Sequence, residues 1–450
     1  MTSALAPQCR DLLTAYQTVR STTDALCAPL SSEDQCIQSM PDVSPTKWHR
    51  AHVTWFFETF LLAPHLAGYR PFHPAFAYLF NSYYEAVGLR HPRPERGNLS
   101  RPSCAEVAEY RAHVDQAMAV LLAGPLDDAV VQLVALGLHH EQQHQELLLM
   151  DIKHVLSTNH ALWPAYHDPP PADIGPAGSR PSPGRWIDVD GGEVWLGCDA
   201  DKAGADVDGA AGAGGAFESF VFDNEGPRHR SILAPYRLAD RLVTCGQWLE
   251  FMADGGYDTP TLWLSDGWYT RQDQGWRAPA YWDLHPDDGP QVFTLHGRRP
   301  VDPDEPVCHV SFYEADAFAR WAGARLPIEG EWEHVAAGQP PVGNLGHTGR
   351  YHPTPPNAPG AAPAPNDPGW YQLFGDVWEW TASPYTPYPG FRPAPGAVGE
   401  YNGKFMVNQF VLRGGACVTP PGHIRATYRN FFHPHTRWHF SGVRLARDAP

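Results

Sequence analysis

The sequence predicts an α+β protein with two successive domains, a helical bundle followed by a domain of short strands and turns. Three observations carry this. Residues 8–30, 46–63, 104–123 and 129–157 repeat apolar side chains at three- and four-residue steps with few interior breakers, the pattern of helices that bury one face. The run from Asp168 to Gly184 is so rich in proline that backbone donors are missing and φ is fixed along it, which excludes a helix or a central strand. From Trp186 onward the pattern shortens to strand-like runs at 186–189, 193–196, 236–238, 407–413 and 441–446, separated by glycine and proline. The expected division is therefore 1–167, a linker at 168–185, and 186–450.

The four helical segments suit an antiparallel bundle, because short connections place consecutive helices side by side. The strand-rich domain is expected to hold only a pair of helices. One spans 244–253 with Thr244 as N-cap; the other spans 311–323, where Ser311 and Glu314 have the spacing of a capping box. The Ala/Gly/Asp-rich stretch Asp199–Ala216 and the Pro/Gly tract Gly338–Gly369 read as loosely held surface insertions.

A chain of 450 residues can bury two cores, and its net charge of −17 argues against a nucleic-acid footprint. No apolar run reaches the roughly 18 residues that a membrane span requires, and the first residues lack a charged region followed by an apolar one, so a cytoplasmic protein without membrane contact is expected. The eight cysteines are scattered with no CxxC pair, which suggests small core residues rather than a zinc knuckle or a disulfide framework.

The chemistry concentrates in His139-His-Glu-Gln-Gln-His-Gln-Glu146. His140 and His144 are four residues apart, so two imidazoles stand one turn apart on one helix face and can converge on one ion. Leu133, Leu136, Leu147 and Asp151 continue the same stripe, which turns the histidines inward, and buried neutral imidazoles need partners. A third ligand must come from another segment. Spacing leaves both His49 and His52 open, since the 46–63 helix is apolar nearly all round.

Several longer motifs point to known families. Residues 306–333, from Pro306-Val-Cys-His-Val-Ser to Glu329-Gly-Glu-Trp-Glu333, resemble the core signature of the formylglycine-generating-enzyme-like fold, a C-type-lectin-related α+β architecture. Gly375-Asp-Val-Trp-Glu-Trp-Thr381, Leu412-Arg-Gly-Gly415 and Gly442-Val-Arg-Leu-Ala446 match its later signatures in order. The copper-binding thiol pair of true formylglycine-generating oxidases has no counterpart, because Cys417 stands alone in its segment. The segment from Ser44-Pro-Thr-Lys-Trp-His-Arg-Ala-His52 to Phe60, together with the His140 motif, looks like a DinB-like helical bundle. The two fused are the layout of the ergothioneine sulfoxide synthases, the EgtB family, and Asn81-Ser-Tyr-Tyr84 through Arg93 and Glu400-Tyr-Asn-Gly-Lys-Phe-Met406 strengthen that resemblance.

The resemblance implies a mononuclear Fe(2+) centre held by His52, His140 and His144, at which a thiol is joined to C2 of hercynine using O2, leaving a sulfoxide. It implies a tyrosine proton donor, Tyr83 or Tyr84 in preference to Tyr385 or Tyr388, and thiol-carboxylate recognition by Arg90 and Arg93. Gln143, Asn430 and Phe431 occupy positions that the family uses for hercynine. Members that take γ-glutamylcysteine carry an aspartate where Phe432 stands here, so cysteine is the expected thiol, with Arg437 as a further carboxylate partner. A DinB-like metal-dependent thiol transferase, an ovothiol-type synthase acting on histidine, and a non-enzymatic lectin-like binder are the competing readings. The oligomeric state is not specified by the sequence.

Overall fold

The computed structural model describes residues 7–159, 163–167, 184–199, 220–284, 288–356 and 369–450. Residues 168–183 of the linker, nearly all of Asp199–Ala216 and residues 357–368 of the Pro/Gly tract lie outside the described residues. Contacts divide the chain into two compact units: Met1–Ala161 with Ala200–Asp223 and Arg392–Gly403, and Leu162–Asp199 with Asn224–Phe391 and Lys404–Pro450. No described helix is long and apolar enough to cross a membrane.

The first unit is built on α1 (Pro7–Cys27), α2 (Thr46–Phe57), the short α3 (Ala63–His65) and α4 (Phe76–Leu79), α5 (Cys104–Leu122) and α6 (Asp128–Ser157). Local chemistry sets the starts. Ser103 Oγ accepts the Glu106 N–H while the Glu106 carboxylate accepts the Ser103 N–H, a capping box for α5. Asp127 accepts the Val130 N–H at 2.9 Å and caps α6. Tyr16, Val19, Trp55, Phe56, Phe57, Val107, Val114, Val131, Val134 and Leu138 form the core between these helices. At Gly137 an added Cβ would meet the Phe57 ring at 2.7 Å, so a bare backbone is what lets α6 lie this close to α2.

Helix α6 departs from the single stripe that its periodicity suggests. Leu133, Leu136 and Leu147 are only half-buried, whereas Val131, Val134, Leu138, Glu141, Gln145 and Leu148 are buried, so nearly the whole circumference is covered. Glu141 is tolerated inside because Arg20 Nη1 (2.9 Å), Arg111 Nη2 (3.4 Å) and Thr23 Oγ1 (2.7 Å) all donate to it.

The second unit holds the strands: β1 (Trp186–Val189), β2 (Gly192–Leu196), β3 (His229–Leu233), β4 (Tyr236–Ala239), β5 (Trp282–Asp283), β6 (Gln291–Thr294), β7 (Gly297–Pro300), β8 (Trp378–Pro384), β9 (Phe410–Arg413), β10 (Asn430–Phe432), β11 (Ser441–Gly442) and β12 (Ala446–Asp448). They form sheets ordered β1-β4-β12, β10-β9-β8-β11, β2-β3 and β5-β6-β7, with β8–β11 the parallel pairing. The expected caps on α7 (Cys245–Ala253) and α9 (Phe312–Trp321) are present, Thr244 with Gln247 and Ser311 with Glu314. Two further helices, α8 (Ser265–Asp273) and α10 (Glu329–Ala336), correct the expectation of a single pair. Both are short and glycine-containing, and tertiary packing rather than propensity holds them.

Buried ion pairs tie the separate sequence signatures to one another. Glu329 and Glu333 of α10 both accept from Arg413 Nη2, at 3.0 and 2.8 Å. Arg444 Nε and Nη2 grip Glu379 at 2.8 and 3.0 Å, with both side chains fully buried.

One buried group makes the unit acid-sensitive. His439 packs against Trp380 and Phe432, neither ring nitrogen has a hydrogen-bond partner, and burial lowers its pKa from 6.5 to about 3. The unfolded chain then binds a proton that the folded chain refuses. This contribution to stability is present above pH 6.5 and is lost progressively as pH falls toward 3. His439→Leu is expected to flatten the stability profile there, read from urea midpoints at about pH 7 and pH 5; an unchanged slope would contradict the assignment.

Candidate metal centre

Helix α6 carries His140 and His144 on one face, and α2, drawn in at Gly137, brings His52 against them. The ligand atoms of the three residues lie within 4.8 Å of one another. His52 is clamped between Trp48 and Trp55, with ring centroids at 4.7 and 5.6 Å and nearly parallel planes. Its Nδ1–H donates to the Phe80 carbonyl at 2.6 Å, so the proton is held there and the Nε2 lone pair faces inward. His52 and His140 are buried and His144 is half-buried, so the group is not sealed.

The donor set fits a metal. The Nε2 atoms of His52 and His140 stand 3.2 Å apart, and two nitrogens each bonded at about 2.1 Å to a shared ion have a separation of roughly this size. Burial lowers the pKa of all three imidazoles, to about 3 for His140. They are therefore neutral and carry lone pairs at physiological pH. His140 Nδ1 is buried without a hydrogen-bond partner, a cost that the folded protein bears to keep the ring turned this way.

His49 does not join this group. Its Nδ1 lies 2.9 Å from His144 Nδ1 and its Nε2 lies 3.0 Å from Asp151 Oδ2, so it stands behind His144 as a hydrogen-bond partner. Arg96 is buried, donates to Ser44 Oγ at 2.8 Å and lies 3.3 Å over the Trp48 ring.

The tyrosine pair lies close by. The Asn81 side chain folds the loop by donating to the Tyr84 and Gly88 carbonyls and accepting the Tyr84 N–H. Tyr84 packs on Trp55 at 5.7 Å, and Tyr83 stacks on Tyr84 at 4.7 Å. The segment Arg392–Gly403 is tied to the same loop, since the Glu400 carboxylate accepts the Glu85 and Ala86 N–H groups at 3.1 and 2.9 Å. This places the Tyr401 ring 5.7 Å from His140 and 6.0 Å from Tyr83. Burial pushes the Tyr83 and Tyr84 hydroxyls well above their usual range, so both remain protonated.

Other expected site residues have partners of their own. Arg90 donates to the Ser82 carbonyl and pairs with Glu85, while exposed Arg93 donates to the Asp42 carbonyl. Gln143 is half-buried on α6 next to His144. In the second unit, Asn430, Phe431 and Phe432 form β10, Phe431 stacks on Tyr385 at 4.0 Å, and the Tyr385 hydroxyl accepts from Asn224 at 2.9 Å. Arg437 is clamped over Trp276, donating to Glu314 at 3.0 Å and to the Ala278 carbonyl at 2.6 Å. The sequence pattern attaches no role to Tyr401, Arg96 or Asp151. For Asp151 a signal exists, seven residues beyond His144 on the same face; for Tyr401 the motif that begins at Glu400 marks the segment, but nothing in it places the ring beside His140.

Residues 186–449 match the sulfatase-modifying factor enzyme 1-like domain, and residues 15–148 match the DinB superfamily. The hercynine oxygenase of Mycolicibacterium smegmatis is 35% identical over 441 residues, covering 91% of this chain and 92% of that protein. The hercynine oxygenase of Mycobacterium tuberculosis is 35% identical, covering 92% of this chain and 93% of its own length. The formylglycine-generating enzyme of Streptomyces coelicolor is 28% identical over 52% of this chain and 86% of its own. With a helical unit that presents three convergent imidazoles and a second unit locked by Glu–Arg pairs between its signature motifs, this chain belongs to the hercynine oxygenase (EgtB) family of sulfoxide synthases.

Proposed function

We propose that this chain joins the sulfur of cysteine to C2 of hercynine, with one atom of O2 entering the sulfoxide and the other leaving as water. The observation that carries the reading is the convergence of neutral His52, His140 and His144. These three would hold ferrous ion, which supplies the redox chemistry that zinc lacks.

The chain's own contribution is placement and proton supply. Stacking by Trp48 and Trp55 and the Phe80 carbonyl hold His52 in one orientation. Tyr83 and Tyr84, kept protonated by burial, hold a proton for delivery beside this group, and Tyr401 is a third hydroxyl in the same cluster. Arg90 and Arg93 are the cations for the thiol carboxylate, Arg90 by exchanging its exposed pairing with Glu85; Arg437, paired with the buried Glu314, serves first as a clamp on that residue. Phe432 packs its ring against His439 and offers no charge for the amine of γ-glutamylcysteine, which favours the smaller thiol.

Mass spectrometry of aerobic reactions after anaerobic ferrous loading tests this directly. Hercynine with cysteine is expected to give the sulfoxide at a higher kcat/KM than hercynine with γ-glutamylcysteine. Thiol oxidation with no C–S product from either thiol would refute the reaction, and the opposite preference would refute the thiol. Replacing Tyr83 and Tyr84 together by phenylalanine is expected to slow sulfoxide formation on the order of 100-fold, the usual size of a lost proton donor. An unchanged rate would transfer the role to Tyr401 or Tyr385.

A further inference from the structure

Whether His144 can serve as a ligand, a question that rests on the metal reading above, depends on which ring nitrogen carries its proton. His144 Nδ1 is 2.9 Å from His49 Nδ1, and His49 Nε2 is 3.0 Å from Asp151 Oδ2. Asp151 Oδ2 already accepts the Ser44 N–H, so it is the acceptor here too and His49 Nε2 donates to it. A single proton then occupies the contact between the two Nδ1 atoms. If His144 holds it, His49 is neutral and His144 Nε2 is bare. If His49 holds it, His144 must carry its own proton on Nε2, the nitrogen that remains for an ion.

We infer that Asp151 and His49 are positioning residues that set the tautomer of His144 and leave its Nε2 free to bind the metal. Asp151 is itself anchored. Its Oδ2 also accepts the Ser44 N–H at 2.8 Å, and Ser44 Oγ is held by Arg96, whose guanidinium lies over Trp48. The two flanking histidines are thus oriented by different devices. His52 uses the Phe80 backbone carbonyl, and His144 uses a second imidazole backed by a carboxylate. Outer hydrogen bonds of this kind fix ring direction and raise ligand basicity, and removing one usually costs about 10–100-fold in metal affinity.

The test has two arms. In apo-protein selectively labelled with 15N-histidine, long-range 1H–15N spectra are expected to show His144 protonated at Nδ1 and His49 at Nε2, assigned by signals missing from His144→Gln and His49→Gln. The reverse pattern would overturn the inference whatever the metal does. In the second arm, Co(II) affinity is measured by titration of its visible absorption. His49→Phe is expected to weaken binding about 10–100-fold, while His49→Gln, whose amide oxygen can still accept the His144 proton, stays within a few-fold of wild type. Equal affinity in all three proteins would refute the positioning role; no binding by the wild type would refute the metal reading instead. Far-UV circular dichroism checks that the variants are folded, and if His49→Phe is not, the wild-type spectra still decide.

Discussion

His140→Ala is expected to abolish stoichiometric ferrous binding and sulfoxide formation together. Two imidazoles would remain, His52 on α2 and His144 on α6, and the 3.2 Å nitrogen pair that defines the shared position would be gone. Metal analysis after anaerobic loading and desalting reads the first effect. Thermal melting reads it independently, because a ligand that binds only the folded state raises the melting temperature, and this rise should appear in the wild type and vanish in the variant. The apo-variant should stay folded. It leaves a cavity beside Phe56 but also removes the buried, unpartnered Nδ1, and the two effects oppose each other. Retained stoichiometric iron with retained product would end the assignment.

The second large effect is on stability. Arg444→Ala should destabilise the strand-containing unit by about 3–5 kcal/mol, the usual consequence of removing one partner of a buried pair. Arg444 donates to Glu379 and also to the Ala239, Tyr371 and Gln372 carbonyls, so truncation strands a carboxylate and three acceptors at once. Glu379 has its pKa pushed up by burial even with Arg444 present, and without it would take up a proton. Glu379→Gln in the same background should therefore recover some of the loss. Urea unfolding followed by tryptophan fluorescence measures both; a change below about 1 kcal/mol for Arg444→Ala would show that the pair is not structural.

Motif and period carry much of this protein. The long helices are readable because apolar residues recur along them without breakers, and the starts at Thr244 and Ser311 because capping is local chemistry between residues three apart. The helices α8 and α10 are not readable: they are as short as α7, and the residues at their N-caps, Leu264 and Ile328, carry no side-chain acceptor, so the local signal that marks α7 and α9 is missing. The strands β3, β5, β6, β7, β8 and β10 also lie outside the runs expected from the sequence.

The histidine centre divides along the same line. Spacing of four residues on a helix is enough to place His140 beside His144, because 3.6 residues per turn brings them to one face whatever surrounds them. The choice between His49 and His52 is beyond spacing: both sit on α2, and only the approach of α2 to α6 turns His52 Nε2 toward His140 and sets His49 against Asp151. Tyr401 belongs with that second kind of fact, delivered from a segment far away along the chain. Periodicity and capping act between neighbours in sequence, so the amino-acid order alone decides them. Which lone pair faces which, and which hydroxyl stands beside which ring, depends on contacts between segments that are far apart in the chain, and packing alone decides those.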